Sequence, residues 1–341
     1  MSKPRLSKSG LAFTAGLSMA LLGATFVGVS GSAAVTPSVV ASEACPQNDG
    51  TLTVSEADGS SATACSLVGD KVAGELGVLP VPDPGYIAEV EDMRVDGGST
   101  SMSVETTLEG NIEVIEEGAD LEGSPGQIPD PTVGPCDSQQ YALLARKWYT
   151  AAVPWYINAG TIRADDLVAS NAVTSMRSAM ENITQQNNQC GMPDQVDIGQ
   201  VYQGDTNATA AIGYNSAGQS TCAAASSPSH NGIHTVYFDN RQPNVLGTTC
   251  TIAVAHAGAS EIVEADIELD NDANVWTTNG AGPGCSTEYD LEGALTHEFG
   301  HWFGLDHVSD THQTMLRAVS PCFIGFRTLG KGDVLGLQAR Y

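Results

Sequence analysis

Apolar residues recur at three- and four-residue spacing in two stretches of the second half of the chain. The first stretch has them at Ala169, Ala172, Val173, Met176, Met180 and Ile183, and the second covers 289–303. This spacing places the apolar side chains on one face of an α-helix. We therefore predict two helices, the first capped by Asp165 or Asp166 and the second beginning near the capping pair Thr287 and Asp290.

Short runs of β-branched and aromatic residues lie between the two predicted helices, and turn-forming residues bound each run. Such runs are typical of strands, and a similar run, VPWYINAGTI, precedes the first helix. The order of strand, long helix, several strands and second helix predicts the α/β class, with a helix packed on a sheet. The four intervening strands are predicted at 196–203, 234–238, 251–255 and 262–269.

The segment 124–135, SPGQIPDPTVGP, is rich in proline and glycine, which break regular structure and mark an exposed connection. Upstream of it the chain is strongly acidic, and the alternating stretch SMSVETTLEG predicts strands. We expect 35–130 to be an acidic propeptide, with an accessory or disordered segment as the alternative. Residues 131–341 are expected to form the main globular domain.

The N-terminus has the features of an export signal. Three cations fall within the first eight residues, and an uncharged apolar run over 11–29 follows and ends in small residues. Cleavage after Ala34 would make 1–34 a signal peptide, with Ala41 and Ala44 as competing sites and a retained anchor as the alternative. No other segment is apolar enough to cross a membrane, so we expect a secreted product without membrane contact after signal removal.

Eight cysteines lie downstream of that signal. An even number in an exported chain predicts four disulfides, and the lack of any Cys-Xaa-Xaa-Cys pair argues against a thiolate zinc site. Pairing in sequence order would put one bridge before residue 130 and three after it, but spacing alone leaves the connectivity open. The cysteines are Cys45, Cys65, Cys136, Cys190, Cys222, Cys250, Cys285 and Cys322.

The chain has 40 acidic and 14 basic side chains, which gives a formal net charge of -26. Nucleic acids and anionic membranes bind through cationic contacts, so this balance argues against both as partners. A solvated acidic exterior is the simplest explanation, and basic substrates or calcium are the alternatives.

The segment 287–316 contains the residues with the clearest chemistry. On a helix, His297 and His301 are about 40° apart around the axis and about 6 Å apart along it, so both rings can bind one metal ion. Glu298 can face the same cleft and take a proton from metal-activated water. Gly304 can adopt the left-handed conformation that ends the helix and returns His307 to the same ion. Three imidazoles leave a fourth zinc position open, which is typical of catalytic sites.

The sequence HEFGHWFGLDH matches the extended motif HExxHxxGxxH of the metzincin metallopeptidases at every fixed position. The chain resembles this family over roughly residues 140–341, and the matrixin-like branch is the most similar. YDL precedes the motif, GLDH ends it, Met315 follows eight residues after the last histidine, and KGDVLGLQARY resembles the end of a matrixin catalytic domain. EADIELDNDANVW resembles the segment before the active-site helix in secreted bacterial members.

This resemblance implies a metzincin-like catalytic domain over 131–341, with a twisted, mostly parallel sheet, packed helices, an active-site helix and a Met-turn at Met315. It implies one catalytic zinc ion on the three histidines and Glu298 as general base. The expected function is that of a secreted zinc-dependent endopeptidase, a monomer that acts on proteins or peptides. A catalytically silent secreted binding protein on the same fold and a hydrolase of non-peptide amides are the alternatives.

The chain also departs from the matrixin pattern. It lacks the cysteine-switch motif with which matrixins block their zinc, so the resemblance leaves open how latency is kept. Leu316 and Arg317 follow the Met-turn methionine where matrixins often have Tyr-Pro, which alters the wall of the specificity pocket.

Two further metal sites are considered, a structural zinc site and a calcium site. His256 matches one ligand of the second, structural zinc of matrixins, and His230 and His234 lie nearby, but Ile267 falls where another ligand histidine is expected. The oxygen-rich stretch with Asp266, Asp270 and Asp272 makes calcium a candidate.

Overall fold

The structure is a computed structural model of the 341-residue chain. It describes residues 45–47, 49–94, 99–118, 134–163, 169–209, 212–222, 231–240, 244–271, 275–280, 282, 284–317 and 319–341. The signal peptide predicted over 1–34, the helix caps Asp165 and Asp166, His230 and Asp272 all lie outside the described residues. So does most of the predicted connection at 124–135.

The described elements belong to the unit Glu43–Tyr341. Two single turns of 3₁₀-helix, Ala159–Thr161 and Gly325–Arg327, complete the regular structure of the described residues. In chain order the other elements are β1 (Thr51–Thr53), α1 (Val54–Ala57), β2 (Lys71–Ala73), β3 (Val78–Pro80), β4 (Tyr86–Arg94), β5 (Ser99–Thr106), β6 (Ile112–Glu117), β7 (Ala142–Leu143), β8 (Arg146–Lys147), β9 (Ala152–Ile157), α2 (Ala169–Thr184), β10 (Gly199–Asp205), β11 (Ile212–Tyr214), β12 (Ser220–Cys222), β13 (Thr235–Asp239), β14 (Val245–Val254), β15 (Ser260–Asp270), β16 (Trp276–Thr277), β17 (Tyr289–Asp290), α3 (Leu291–Trp302), β18 (Leu305–Asp306) and α4 (Lys331–Arg340).

The largest sheet has the order β10-β9-β13-β15-β14-β4-β5-β6, and β8 pairs with β15 beside it. The strands from β10 to β15 are parallel to one another, whereas every pairing from β15 to β6 is antiparallel. The predicted α/β class is confirmed. The sheet combines a parallel part and an antiparallel part, where a mostly parallel sheet was expected. Its parallel part comes wholly from the chain downstream of residue 134, and the upstream strands β4, β5 and β6 extend its antiparallel part.

A second sheet also combines both regions of the chain. Its order is β1-β2-β3-β12-β11, so the upstream strand β3 lies beside the downstream strand β12. Side chains between this sheet and the β4–β5 part of the large sheet form a separate apolar cluster that includes Leu79, Val90, Met102 and Val104. The upstream region therefore contributes its own buried core and shares strands with the rest of the unit.

Helices α2 and α3 pack together against the parallel part of the large sheet. The apolar stripe predicted for α2 is buried at Ala172, Met176, Met180 and Ile183, as its spacing requires. Helix α3 is buried on nearly all its faces. Asn182 of α2 donates a hydrogen bond to Thr296 Oγ1 of α3, with a length of 3.2 Å. These contacts fix α3 rigidly beneath the sheet.

Strand β14 begins at Val245, well before the predicted start at 251. Both of its neighbours pair with it over most of its length, β15 from Gly247 to Val254 and β4 from Val245 to Val254. Pairing with two distant segments extends a strand beyond what local sequence preference indicates.

None of the helices in the described residues combines the length and the apolar composition that a membrane crossing needs.

All eight cysteines are paired, in sequence order. One bridge lies in the upstream region and three lie downstream, which is the arrangement that the sequence left as one of several. The bridges are Cys45–Cys65, Cys136–Cys190, Cys222–Cys250 and Cys285–Cys322.

Candidate metal centre

The ends of helix α3 explain how the motif histidines are brought together. Asp290 caps the first turn, because its side chain accepts a hydrogen bond from the backbone N–H of Gly293 at 2.8 Å. At the other end Gly304 has a φ of +79°, and a Cβ there would overlap the carbonyl oxygen of Arg146. The glycine predicted to reverse the chain is therefore required twice, for its conformation and for its lack of a side chain.

The three motif histidines converge at one point. His297 Nε2 lies 3.1 Å from His301 Nε2 and 3.2 Å from His307 Nε2. The other ring nitrogens of two of them face backbone carbonyls: His297 Nδ1 is 2.7 Å from Thr314 O, and His301 Nδ1 is 3.0 Å from Leu305 O. An Nδ1–H that donates to a carbonyl leaves the Nε2 lone pair available for a metal ion.

This donor set fits a zinc ion. Zinc–nitrogen bonds of about 2.0–2.1 Å in a tetrahedron put two ligand nitrogens about 3.3 Å apart, close to the observed separations. Burial lowers the pKa of His297 to about 3 and that of His307 to about 3, and it lowers the pKa of His301 well below its usual value. Burial therefore favours the neutral imidazoles, which is the form that binds metal.

Glu298 lies within the same buried region, and its neighbour comes from strand β14. The hydroxyl of Thr249 donates a short hydrogen bond to Glu298 Oε2. Both residues are almost fully buried. A carboxylate oriented in this way beside the imidazoles can move a proton to or from a reacting group. The sequence indicated Glu298 through the motif but gave no sign of Thr249.

Met315 forms the base of the centre, as the resemblance implied. It is buried, and its Sδ lies so close to Gly300 of α3 that a Cβ at that glycine would overlap it. Asp333 of α4 holds this part of the chain, because its carboxylate accepts hydrogen bonds from the backbone N–H groups of Thr314 at 2.7 Å and Met315 at 3.3 Å. The methionine is thus part of the buried floor and its position is fixed by backbone contacts.

A fourth residue, which is acidic and comes from the upstream region, completes the cluster. Glu91 of β4 has Oε1 at 2.8 Å from His307 Nε2 and Oε2 at 3.1 Å from His301 Nδ1. Glu91 and the three histidines each offer one ligand atom, and these four atoms lie within 4.8 Å of one another. Burial strongly raises the pKa of the Glu91 carboxyl, and Glu89 adds to the effect. Sequence reasoning missed Glu91, because carboxylates alternating along a strand are usually on a solvated face.

The other predicted metal sites are not assembled in this way. Among the described residues the second group with suitable side chains is Cys285, Glu288 and Cys322, and its cysteines are joined in a disulfide. His234 is buried and its ring packs against that of Trp148. His256 is exposed, and the centroid of its ring lies 4.1 Å from the ring centroid of Tyr149.

Calcium stays a prediction. Asp266 is buried in β15 and accepts a hydrogen bond from the backbone N–H of Thr235 at 2.8 Å, and Asp270 ends the same strand. The third residue of the predicted calcium stretch, Asp272, is outside the described part of the chain.

The mixed sheet, the enclosed helix and the three converging imidazoles define a metallopeptidase-like centre of the metzincin kind. Residues 233–341 match the family model of the matrixins, the M10 peptidases. This match confirms the resemblance inferred from the motif: residues 233–341 are similar to matrixin-like metzincins. It supports a metallopeptidase-type function with zinc as the metal and proteins as the substrates. No curated protein matches the chain.

Proposed function

We propose that the protein is a secreted zinc-dependent endopeptidase in which His297, His301 and His307 hold one zinc ion and Glu298 is the general base. The observation that carries the proposal is the convergence of the three Nε2 atoms, with separations of 3.1 and 3.2 Å. Backbone carbonyls at Thr314 and Leu305 orient two of the rings, which supports a metal site over three unrelated core histidines.

Zinc in this centre would act as a Lewis acid that polarises the scissile carbonyl group and acidifies a water molecule. Glu298 accepts the proton of the attacking water at its carboxylate and later donates it to the leaving amine. Thr249 orients that carboxylate through its hydroxyl. The apolar floor at Met315 excludes water from beneath the site.

Strand β14 supports a polypeptide as the substrate. Among the strands downstream of residue 134, β14 is the outermost strand on the side that faces the centre, since only the upstream strands β4, β5 and β6 lie beyond it. An extended peptide can bind by adding a strand to such an edge. The contact between Thr249 of β14 and Glu298 would place the bound peptide next to the general base.

Four disulfides favour an oxidising compartment and so support secretion. The signal peptide over 1–34 and the propeptide over 35–130 are parts of the same proposal. N-terminal analysis of the product collected from the medium would test both.

The decisive experiment measures zinc content and casein hydrolysis on the processed, secreted form of the protein. We expect about one zinc ion per chain, and casein cleavage that a chelator abolishes and added zinc restores. Glu298→Ala should keep the zinc and lose cleavage, whereas His301→Ala should lose both. Zinc bound with no cleavage of casein by any form would instead support a catalytically silent binding protein. A Glu298→Ala protein that cleaves casein at the normal rate would refute the assigned base.

A further inference from the structure

The cleft at which a substrate strand would bind is already filled by the chain itself. Strand β4 pairs antiparallel with β14 over nearly its whole length, and Glu91 lies directly opposite Thr249. Residues directly opposite each other in an antiparallel ladder project from the same face of the sheet. Glu91 therefore projects to the side where Thr249 contacts Glu298, and its carboxylate meets the histidine cluster.

We infer that the upstream meander (β4, β5 and β6) is a built-in inhibitor that occupies the substrate edge of β14 and presents Glu91 to the metal as a fourth ligand. The inference rests on the proposed zinc site and adds its regulation. Carboxylate oxygen is a common zinc ligand, and a zinc ion with three imidazoles and a carboxylate has no open position left for water. The chain, which lacks the cysteine-switch motif, would thus be kept latent by a glutamate.

The charges around Glu91 support metal ligation. The side chain is only 4% exposed, and a buried carboxylate needs a countercharge. Glu89, two residues earlier on the same face, has one in Arg146, with which it forms a two-point ion pair. The direct polar contacts of Glu91 among the described residues are instead with His301 and His307. A zinc ion shared with these rings would provide the missing positive charge.

Contacts on both sides of Glu91 hold the meander against the downstream domain. Arg146 of β8 anchors β4 through Glu89. At the other end Arg317, two residues after Met315, pairs with Glu117 of β6 at 2.7 Å, and its carbonyl accepts a hydrogen bond from Ser99 of β5 at 3.2 Å. The same meander thus covers the metal centre and holds the loop after the methionine, where the wall of the specificity pocket is expected.

Release of such a segment requires more than a side-chain movement. Strand β4 lies between β14 and β5 in the sheet and buries Ala88 and Val90 in the second apolar cluster. Spontaneous opening would expose these side chains and break the ladder between β4 and β14. Proteolytic destruction of the meander is the route to an open cleft that this arrangement favours.

The ligand role is tested on the full chain, with its integrity checked by mass spectrometry. The readouts are zinc affinity by competition with a chromogenic chelator and the visible absorption of the cobalt-substituted protein, neither of which needs catalysis. Glu91→Gln should weaken zinc binding by about tenfold or more and alter the cobalt spectrum. Glu105→Gln, the same charge change on neighbouring β5, is the matched control and should match the wild type in both readouts. A Glu91→Gln protein with wild-type affinity and spectrum would overturn the inference.

The inhibitory role is tested by comparing casein hydrolysis by the intact wild-type chain with that by the processed form. We expect the intact chain to be slower by about two orders of magnitude, since both the edge of β14 and the metal are covered. An intact chain as active as the processed form would overturn the inference while leaving the proposed function standing. Failure of the proposed function looks different, because then His301→Ala would bind zinc as well as the wild type does.

Discussion

Thr249 links Glu298 to the upstream strand β4, since its hydroxyl donates a hydrogen bond to Glu298 Oε2 and Glu91 lies opposite it across the β4–β14 ladder. This one threonine of β14 thus contacts the proposed general base and pairs with the strand that is proposed to cover it. The motif alone shows neither contact, because both depend on how β14 passes over α3.

Removing the hydroxyl of Thr249 tests its role in orienting the base. Thr249→Val keeps the shape of the side chain and loses the hydrogen bond to Glu298. Casein cleavage by the processed form should fall by about tenfold or more, because hydrogen bonds to charged groups contribute about 1.5–3 kcal/mol. Zinc content should not change. Thr249→Ser restores the hydroxyl and should recover most of the activity, and a Val variant with full activity would contradict the assignment.

The conformation of Gly304 can be tested against a matched glycine. Both Gly304 and Gly258 have positive φ, +79° and +99°, but a Cβ at Gly304 would overlap Arg146 O whereas one at Gly258 meets nothing within 4 Å. Gly258→Ala should cost about 1–2 kcal/mol, from the backbone conformation alone. Gly304→Ala should cost clearly more in urea unfolding and should also lower zinc content, since the turn delivers His307. Equal costs would show that the close approach is unimportant.

The buried ion pair between Glu89 and Arg146 should behave unlike the exposed pair between Glu117 and Arg317. Glu89→Gln leaves an uncompensated buried guanidinium, so the free energy of unfolding should fall by about 3–5 kcal/mol. Glu117→Gln removes a partly exposed partner and should cost less than about 1 kcal/mol. Urea unfolding of the full chain measures both, and similar losses would argue against the buried pair as an anchor of the upstream meander.

The buried carboxyl of Asp333 should make the free energy of unfolding depend on pH. Burial raises the pKa of its carboxyl to about 6, although backbone N–H groups of Thr314, Gly330 and Met315 oppose the shift. The unfolded chain has a lower pKa, near 3.9, so the folded state binds this proton more tightly. The resulting stabilisation is complete below about pH 4 and is lost as the pH rises through about 6.

Asp333→Asn removes that titration, so the stability of the wild type relative to the variant should decrease between about pH 4 and about pH 7. Urea unfolding of both proteins across this range measures the difference. A difference that grows with pH would show that the backbone hydrogen bonds outweigh burial and would reverse the expected sign.

The local features of the site could be read from the sequence. The spacing of His297 and His301 fixes their shared face on any α-helix, and Gly304 marks where that helix reverses. The apolar stripe of α2 and the approximate places of β10, β13 and β15 followed from periodicity for the same reason. These features depend on neighbours within a few residues, and the structure reproduces them.

Contacts between distant segments could not be read in this way. No prediction pointed to Glu91 or Glu89, and the strand predicted at 251–255 began six residues after the observed start of β14 at Val245. Both follow from one cause, the pairing of β4 with β14 across about 150 intervening residues. Periodicity carries no information about which strand lies beside which.

The chain of amino acids by itself therefore determined the chemistry available at the centre, because a helix repeat and one glycine suffice to bring three imidazoles and a carboxylate close together. Only the tertiary structure decided what covers that centre. Burial and backbone hydrogen bonds between distant segments determine which strands pair. The pairing of β4 with β14 brings Glu91 Oε1 to 2.8 Å from His307 Nε2.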